Sequence, residues 1–480
     1  MRYSDIYRDD ASLRPYQIEA KRKIFSAWDD CDSVMLQMPT GTGKTRLFTS
    51  IISDIRTWSI ISGKDVKVLI VAHRIELIEQ ISDSLDKYKV SHGIIAGGKE
   101  RNLRPQVQVA SVQTITHRTN FEVASCLGVD FVIIDEAHHS TAKSYNKLWD
   151  LYPDAKKLGV TATPWRMNHR GFASIYDRLV LSKSIKEFIS EGWLSPYKYY
   201  SIKDSSNIHS LISNISEFDV EGDYKVSALE KVVDNGVIRA HLLKSYLKFA
   251  KGKKGIIYSV SRKHSDHICA EYKKAGVNIV CIDSLTPRDE RRLYVQRFKM
   301  GLIDIIVNVD IFSEGFDCPD IEFIQLARPT KSLVKYLQQV GRGLRLTSNK
   351  SNCLILDNVG EHLEFGLPDA DRDWNTEFVG VPYRKKTHSV ISSVKTFGAM
   401  GRNFEEGDEE LDLVQDIVSP VETVVKTDDY VAGWSEQDDS LLRTLYIEKK
   451  CQLSVLASVF DVEENVVKKR LITLNLIDND

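Results

Sequence analysis

Short strand-like runs, several of them apolar throughout, occur in two series along this chain, and no other feature constrains its fold as strongly. The first series is SVMLQM, KVLIVA, QVQVAS, FVIID and KLGVTAT, all before residue 195. The second is KGIIYSV, VNIVCID, IDIIVNV, IEFIQLA and NCLILD, within about 229–366. Strands without polar alternation belong to parallel sheets covered on both faces. The stretches between these runs have helical periods, so the pattern predicts two doubly wound α/β domains. A length of 480 residues leaves room for more than one core. A hydrophobic fraction of 42% and a charged fraction of 28% are those of a globular chain.

The expected organisation has five parts. Residues 1–195 form the first domain, 196–228 a polar connection, and 229–366 the second domain. Residues 367–432 read as an extended arm with an acidic run (Glu405, Glu406, Asp408, Glu409, Glu410, Asp412). Residues 433–480 regain helical periodicity. Leu441, Leu442, Leu445 and Tyr446 suit one helix, Leu453, Leu456, Ala457 and Phe460 a second, and Val467, Leu471 and Leu474 a third. The opening MRYSDIYRDD lacks the apolar centre of a signal peptide, and runs such as VKVLIVA are too short to span a bilayer. The expectation is a soluble, intracellular, cytoplasmic protein with no membrane association. The seven cysteines contain no Cys-x-x-Cys pair. That spacing supports neither a zinc ribbon nor a disulfide framework, and most of the cysteines read as ordinary buried thiols. A net charge of -2 argues against a polyanion coat over the whole chain, but it permits a local basic groove.

Two short motifs carry chemistry. MPTGTGKTR (38–46) joins the run SVMLQ to a helical stretch. Gly41, Thr42 and Gly43 supply a tight loop whose backbone N–H groups can wrap phosphates. Lys44 would reach the β- and γ-phosphates, and Thr45 would coordinate Mg²⁺. FVIIDEAHHS (131–140) ends a strand in two acids. Asp135 can hold Mg²⁺ through its water shell, and Glu136 can orient and deprotonate an attacking water. A third stretch, QQVGRGLR (338–345), puts Gln338, Arg342 and Arg345 at offsets 0, 4 and 7, on one face of a helix. Its two readings are a solvated basic face and a site for an anion.

With Asp-Glu-Ala-His at 135–138, the chain resembles the superfamily 2 helicases and translocases over roughly 13–360. The motifs occur in that family's order: LRPYQIEA, MPTGTGKTR, AHRIELIEQ, SVQTI, DEAH, TATPWR, then the second-domain set. The fold this implies is two tandem RecA-like domains plus a small C-terminal three-helix module. The resemblance implies that Gln17 reads adenine and that His138, Thr161 and Thr163 couple hydrolysis to movement. It also implies that Gly315 and Asp317 touch the nucleotide, and that Gln338, Arg342 and Arg345 face the γ-phosphate from the second domain. Arg74, Gln113, Thr114, Thr286 and Ser332 are its expected nucleic-acid contacts. Thr286 has an equally plain reading as a helix N-cap beside Pro287. The implied cofactors are ATP and Mg²⁺.

Within the superfamily, LARPTKSLVKYLQQVGRGLR and LILDNVGEHLEFGLPDADRDW look most like RadD-type and Res-subunit bacterial helicases, which favours DNA over RNA. RadD-type proteins carry a zinc element after the motor, and the cysteine spacing here excludes one. The C-terminal module resembles Myb-like or helix-turn-helix domains, with Trp434 as core anchor and Lys468, Lys469 and Arg470 exposed. Asp461, Glu463 and Glu464 crowd the end of the helix where base contacts are expected. Nucleic-acid contact and docking of a protein partner both stay open for it. For the whole chain the readings are a DNA helicase, a duplex translocase that leaves strands paired, and an ATP-gated nucleic-acid clamp. Polarity, substrate structure, oligomeric state and pathway are not encoded in any motif.

Overall fold

The computed structural model describes residues 2–117, 120, 124–140, 142–310, 318–348, 350–380 and 410–417, and, further on, 442, 446, 453, 456, 464–474 and 476. Two compact units emerge: Met1–Arg8 with Glu19–Val418, and Asp9–Ile18 with Ser419–Asp480. The larger unit holds two seven-stranded sheets.

The first sheet contains β1 (Ser33–Gln37), β2 (Val68–Ala72), β3 (His92–Ile95), β4 (Val107–Ser111), β5 (Phe131–Asp135), β6 (Lys156–Thr161) and β7 (Arg178–Leu181). Their spatial order is β3-β4-β2-β5-β6-β1-β7, and every pair is parallel. The central strands β1, β2, β5 and β6 are buried at every position; β2 and β5 are almost wholly apolar, whereas β6 buries Lys156 and Lys157 with their Nζ groups bonded to backbone carbonyls. Helices α2 (Lys44–Ser62) and α3 (Ile75–Lys87) follow β1 and β2. The edge strands β3 and β7 are half exposed, so they lack that signature.

The second sheet contains β8 (Tyr197–Ser201), β9 (Gly255–Tyr258), β10 (Ile279–Ile282), β11 (Ile305–Asn308), β12 (Phe323–Leu326), β13 (Cys353–Asp357) and β14 (Asp412–Gln415). Its order is β10-β11-β9-β12-β13-β8-β14. All pairs are parallel except β14 on β8, which is antiparallel with a register shift between Leu413 and Gln415. The two sheets are the parallel-sheet α/β domains that the apolar runs predict.

The segments expected to connect and extend these domains contribute to them as well. Residues 196–228 supply β8, whose Tyr197, Tyr199 and Ser201 face inward in alternation. Tyrosine and serine at the inward positions hide the strand from an apolar-run search. Tyr199 and Ser201 both donate to the buried Asp357 carboxylate, at 3.0 and 2.9 Å. From 367–432 come β14 and the helix Trp374–Val379. Phe378 of that helix is buried in the core beneath the first sheet with Phe172 and Tyr176, and its carbonyl accepts from Phe172 N–H at 2.6 Å.

Cys269 and Cys281 form a disulfide joining the helix Arg262–Lys274 to β10, which corrects the reading of both as thiols. The pair is 12 residues apart and becomes adjacent only when the helix packs on the strand. In the smaller unit, Leu442, Leu456, Val467 and Leu471 form a buried cluster, the last two on the helix Glu464–Thr473. Lys468 on that helix is exposed. Trp434, Asp461, Glu463 and the Lys469 side chain lie outside the described residues. Among the described residues no helix is long and apolar enough to cross a membrane.

Candidate functional site

Strand order determines what meets at the C-terminal edge of the first sheet. β6 lies between β1 and β5, with Gln37 in register with Thr161 and Asp135 with Val160. Three chain segments therefore leave side by side: the loop 38–43, the turn 135–138 and the turn 161–163. Gly41 and Gly43 both take left-handed backbone angles, φ +86° and +85°. Non-glycine residues reach that region only with strain. Gly43 is the N-cap of α2, so the free N–H groups and positive dipole end of a 19-residue helix point into the loop. Thr42 is buried and its hydroxyl donates to the Pro39 carbonyl at 2.7 Å. Lys44 Nζ bends back to the carbonyls of Met38 and Pro39, at 3.2 and 3.4 Å.

Across this loop stand two buried acids. Asp135 ends β5, and its Oδ1 accepts from Glu136 N–H at 3.0 Å. Glu136 has φ +49°, a left-handed angle at a non-glycine residue that costs on the order of 1–3 kcal/mol. The twist turns its carboxylate toward His138, whose Nδ1 is 3.3 Å from Glu136 Oε2 and 3.1 Å from Thr161 Oγ1. Thr163 N–H donates to the same hydroxyl at 3.2 Å. His138, Thr161 and Thr163 thus form one connected group ending on Glu136.

The second domain faces this group with the helix Leu333–Gly343. Gln338 Nε2 donates to Glu136 Oε2 at 3.4 Å, and Gln338 and Arg342 are both buried. Arg345 lies beyond the helix, which ends at Gly343 with Leu344 as C-cap. This departs from the single helical face expected for all three residues. At the helix end Gly343 packs close on β13: a Cβ there would stand 2.4 Å from Cys353 Sγ. Arg345 still reaches the loop, its Cγ 3.1 Å from where a Cβ on Gly41 would be. Burial lowers the pKa of the Lys44 ammonium, Glu136 and Asp135 raise it, and Arg342 and Arg345 push it down again. Three cations from two domains therefore converge beside two carboxylates, an arrangement that favours a polyanion.

Thr40 and Gly341 were not foreseen as site residues. A Cβ on Gly341 would lie 2.7 Å from Thr40 Cβ, so here the two domains touch backbone to side chain. Gly341→Ala is expected to lower maximal turnover about a hundredfold through misplacement of the facing groups, with the melting temperature little changed. Steady-state kinetics beside a circular-dichroism melt checks this, and unchanged kcat would show that the close approach is dispensable.

The remaining expected residues are less concentrated. Arg74 is the N-cap of α3, and its NH1 donates to the Asp310 carbonyl of the second domain at 3.0 Å. Gln113 donates to the His73 carbonyl and accepts from Ser111, at 3.1 and 2.7 Å, while the Thr114 carbonyl accepts from Asn120. Thr286 closes a turn with Asp283, and Pro287 is the N-cap of Arg288–Lys299. Ser332 is buried and caps Leu333–Gly343 by accepting from Lys335 N–H at 3.4 Å. Gln17 is buried in the smaller unit, accepting from Arg14 N–H at 2.9 Å. Gly315 and Asp317 lie outside the described residues.

Comparison with known proteins agrees with this architecture. Residues 10–166 match the family described as type III restriction enzyme, res subunit, and residues 238–347 match the helicase conserved C-terminal domain. A 51.5 kDa protein of Lactococcus phage (isolate 7-9) is 34% identical over 359 residues, covering 75% of this chain and 73% of its own. The DNA 3'-5' translocase XPB2 of Sulfurisphaera tokodaii is 26% identical, over 71% of this chain and 80% of its own. The DNA-bound type ISP restriction-modification enzyme LlaBIII shares the fold with a TM-score of 0.54 at 17% identity. That match covers 72% of this chain and 27% of LlaBIII. The chain belongs to the superfamily 2 helicases, of the Res-subunit type. Its members are ATP-hydrolysing, nucleic-acid-directed motors, and the two sheets here are their tandem RecA-like domains.

Proposed function

We propose that this chain is an ATP- and Mg²⁺-dependent DNA helicase or translocase whose cleft closes on the nucleotide between the two sheets. The observation that carries this reading is the convergence of Lys44, Arg342 and Arg345 with Asp135 and Glu136, linked across the domains by Gln338. These residues fit Mg²⁺–ATP. The glycines leave a cradle that side chains would fill, α2 presents N–H groups, and the acids supply hard oxygen donors.

In this reading Gly41, Thr42 and Gly43 wrap the phosphates and Lys44 neutralises them. Thr45 and Asp135 hold the metal, which would neutralise developing charge. Glu136 accepts the proton of the attacking water, and its buried contacts with His138 and Gln338 fix its orientation. Arg342 and Arg345 stabilise charge at the transferred group only when the domains close, so hydrolysis and domain motion become one event. The family resemblance assigns Gln17 to adenine and Gly315 and Asp317 to the nucleotide. Arg74, Gln113, Thr114 and Thr286 supply backbone contacts, with Ser332 holding its helix. The module at 433–480 meets nucleic acid or a protein partner, and no zinc is required.

ATPase stimulation by single-stranded DNA, duplex DNA, forks and RNA tests the substrate class, with DNA expected to stimulate most. Unwinding of a forked duplex supports the helicase. Displacement of a triplex strand without unwinding supports the duplex translocase, a reading favoured by the likeness to the archaeal translocase. Binding that follows ATP without either activity would replace the motor with a clamp.

A further inference from the structure

The loop 217–225 contributes one buried acid that no motif contains. Asp223 is 2% exposed and serves the start of the helix Leu333–Gly343 three times. Its Oδ2 accepts from Lys335 Nζ and Thr330 Oγ1, and its Oδ1 from Lys331 N–H, each at 2.8 Å. Burial alone would raise its carboxyl pKa, but Lys335 and these hydrogen bonds outweigh burial and hold it below the usual range. The loop is itself braced. Phe218 pairs with Tyr224 across it, their rings stacked at 5.6 Å, and Asp219 Oδ1 accepts from Asp223 N–H at 3.0 Å.

On its other side Asp223 belongs to a charged chain leading to the first domain. Arg328 is buried, its NH1 pairs with Asp310 Oδ1, and its guanidinium also feels Asp223 and Asp219. Asp310 has a left-handed backbone, φ +56°, and its carbonyl accepts from Arg74. The contacts run from Arg74 to Asp310 to Arg328, and Arg328 lies on the same short segment as Thr330, whose hydroxyl donates to Asp223; Asp223 in turn accepts from Lys335 on the helix that presents Gln338 to Glu136. A guanidinium has five N–H donors, and Arg74 gives one of them to the Asp310 carbonyl.

We propose that Asp223 is a positioning residue that transmits nucleic-acid contact at Arg74 to the placement of the Leu333–Gly343 helix over the ATP cleft. The inference rests on the motor reading above and deepens it, adding a residue outside the helicase motifs. Spatial adjacency alone does not establish coupling, so the test must measure an interaction energy. ATP hydrolysis by full-length wild type, Asp223→Ala, Arg74→Ala and the double variant is measured with and without oligo(dT) and duplex DNA.

Asp223→Ala is expected to lower the ratio of stimulated to unstimulated turnover about tenfold, with KM for ATP within about twofold of wild type. The double variant should be no worse than the poorer single one, because both break the same chain. Lys335→Met removes the ion pair from a partly exposed position and gives the same loss if Asp223→Ala does not fold. Equal falls in stimulated and unstimulated rates, or additive effects of Asp223→Ala and Arg74→Ala, would overturn the proposal and leave Asp223 a structural acid. Wild type that hydrolyses no ATP under any condition would instead overturn the motor reading itself.

Discussion

Arg345→Ala is expected to bind ATP within about threefold of wild type and to lose nucleic-acid-stimulated hydrolysis by about 10³-fold or more, within the range for closure-dependent arginines. In the proposed mechanism Arg345 acts where charge grows on the transferred group, beside the buried Gln338 and Leu344. Electrostatic stabilisation is strongest in such a setting. Arg342→Ala should behave alike. Arg345→Lys should recover little, because a point charge does not reproduce a planar fork of donors. Binding of a fluorescent ATP analogue, read beside steady-state turnover, separates the two effects. Stimulated turnover that survives Arg345→Ala would remove Arg345 from the chemistry and leave it a cleft-lining cation.

Glu136→Gln is expected to keep ATP bound and to reduce turnover by about 10²–10⁴-fold, the usual contribution of a general base. The amide retains the size of the carboxylate and can still accept from Gln338, so the two domains keep their contact. What disappears is the capacity to take a proton. The trapped species should release nucleotide slowly, which a filter assay of retained radiolabelled ATP detects. Normal turnover would reassign Glu136 to orienting His138 and Gln338 alone. The left-handed backbone at Glu136 predicts a second effect: Glu136→Gly should melt higher or equal while turning over poorly, since glycine relieves the strain.

How much of this was legible beforehand depended on the kind of signal. The central strands were plain, because burial on both faces imposes an unbroken apolar run. β8 was not, since its inward positions carry tyrosine and serine that bond to Asp357. β14 is exposed and lies in an acidic stretch, so its pairing with β8 leaves almost no local trace. At the site, Lys44, Asp135, Glu136 and Gln338 were legible because chemistry restricts both residue type and spacing. Thr40, Asp223 and Phe378 were not. Each acts through a contact more than a hundred residues distant in sequence, and a threonine, an aspartate or a phenylalanine alone declares no partner. The helical face through Arg345 failed because the helix stops at Gly343, which packs against Cys353 of a strand ten residues later, a fit that no local pattern announces.

The placement of β8 has a consequence for how the chain must be made. All seven strands of the first sheet lie between residues 33 and 181, so they can pair as soon as their own segment leaves the ribosome, although Phe378 joins the core beneath them only later. β8 follows at once, yet its hydrogen-bonding neighbour β13 is synthesised much later; Ser201 and Asp357 are separated by 156 positions. Until then β8 is a tyrosine-rich strand with open edges, a template for unwanted pairing. Folding of the second sheet is accordingly a long-range closure, slower than that of the first. Truncations that end between β8 and β13 should aggregate during translation, whereas those that end just before β8 should stay in solution.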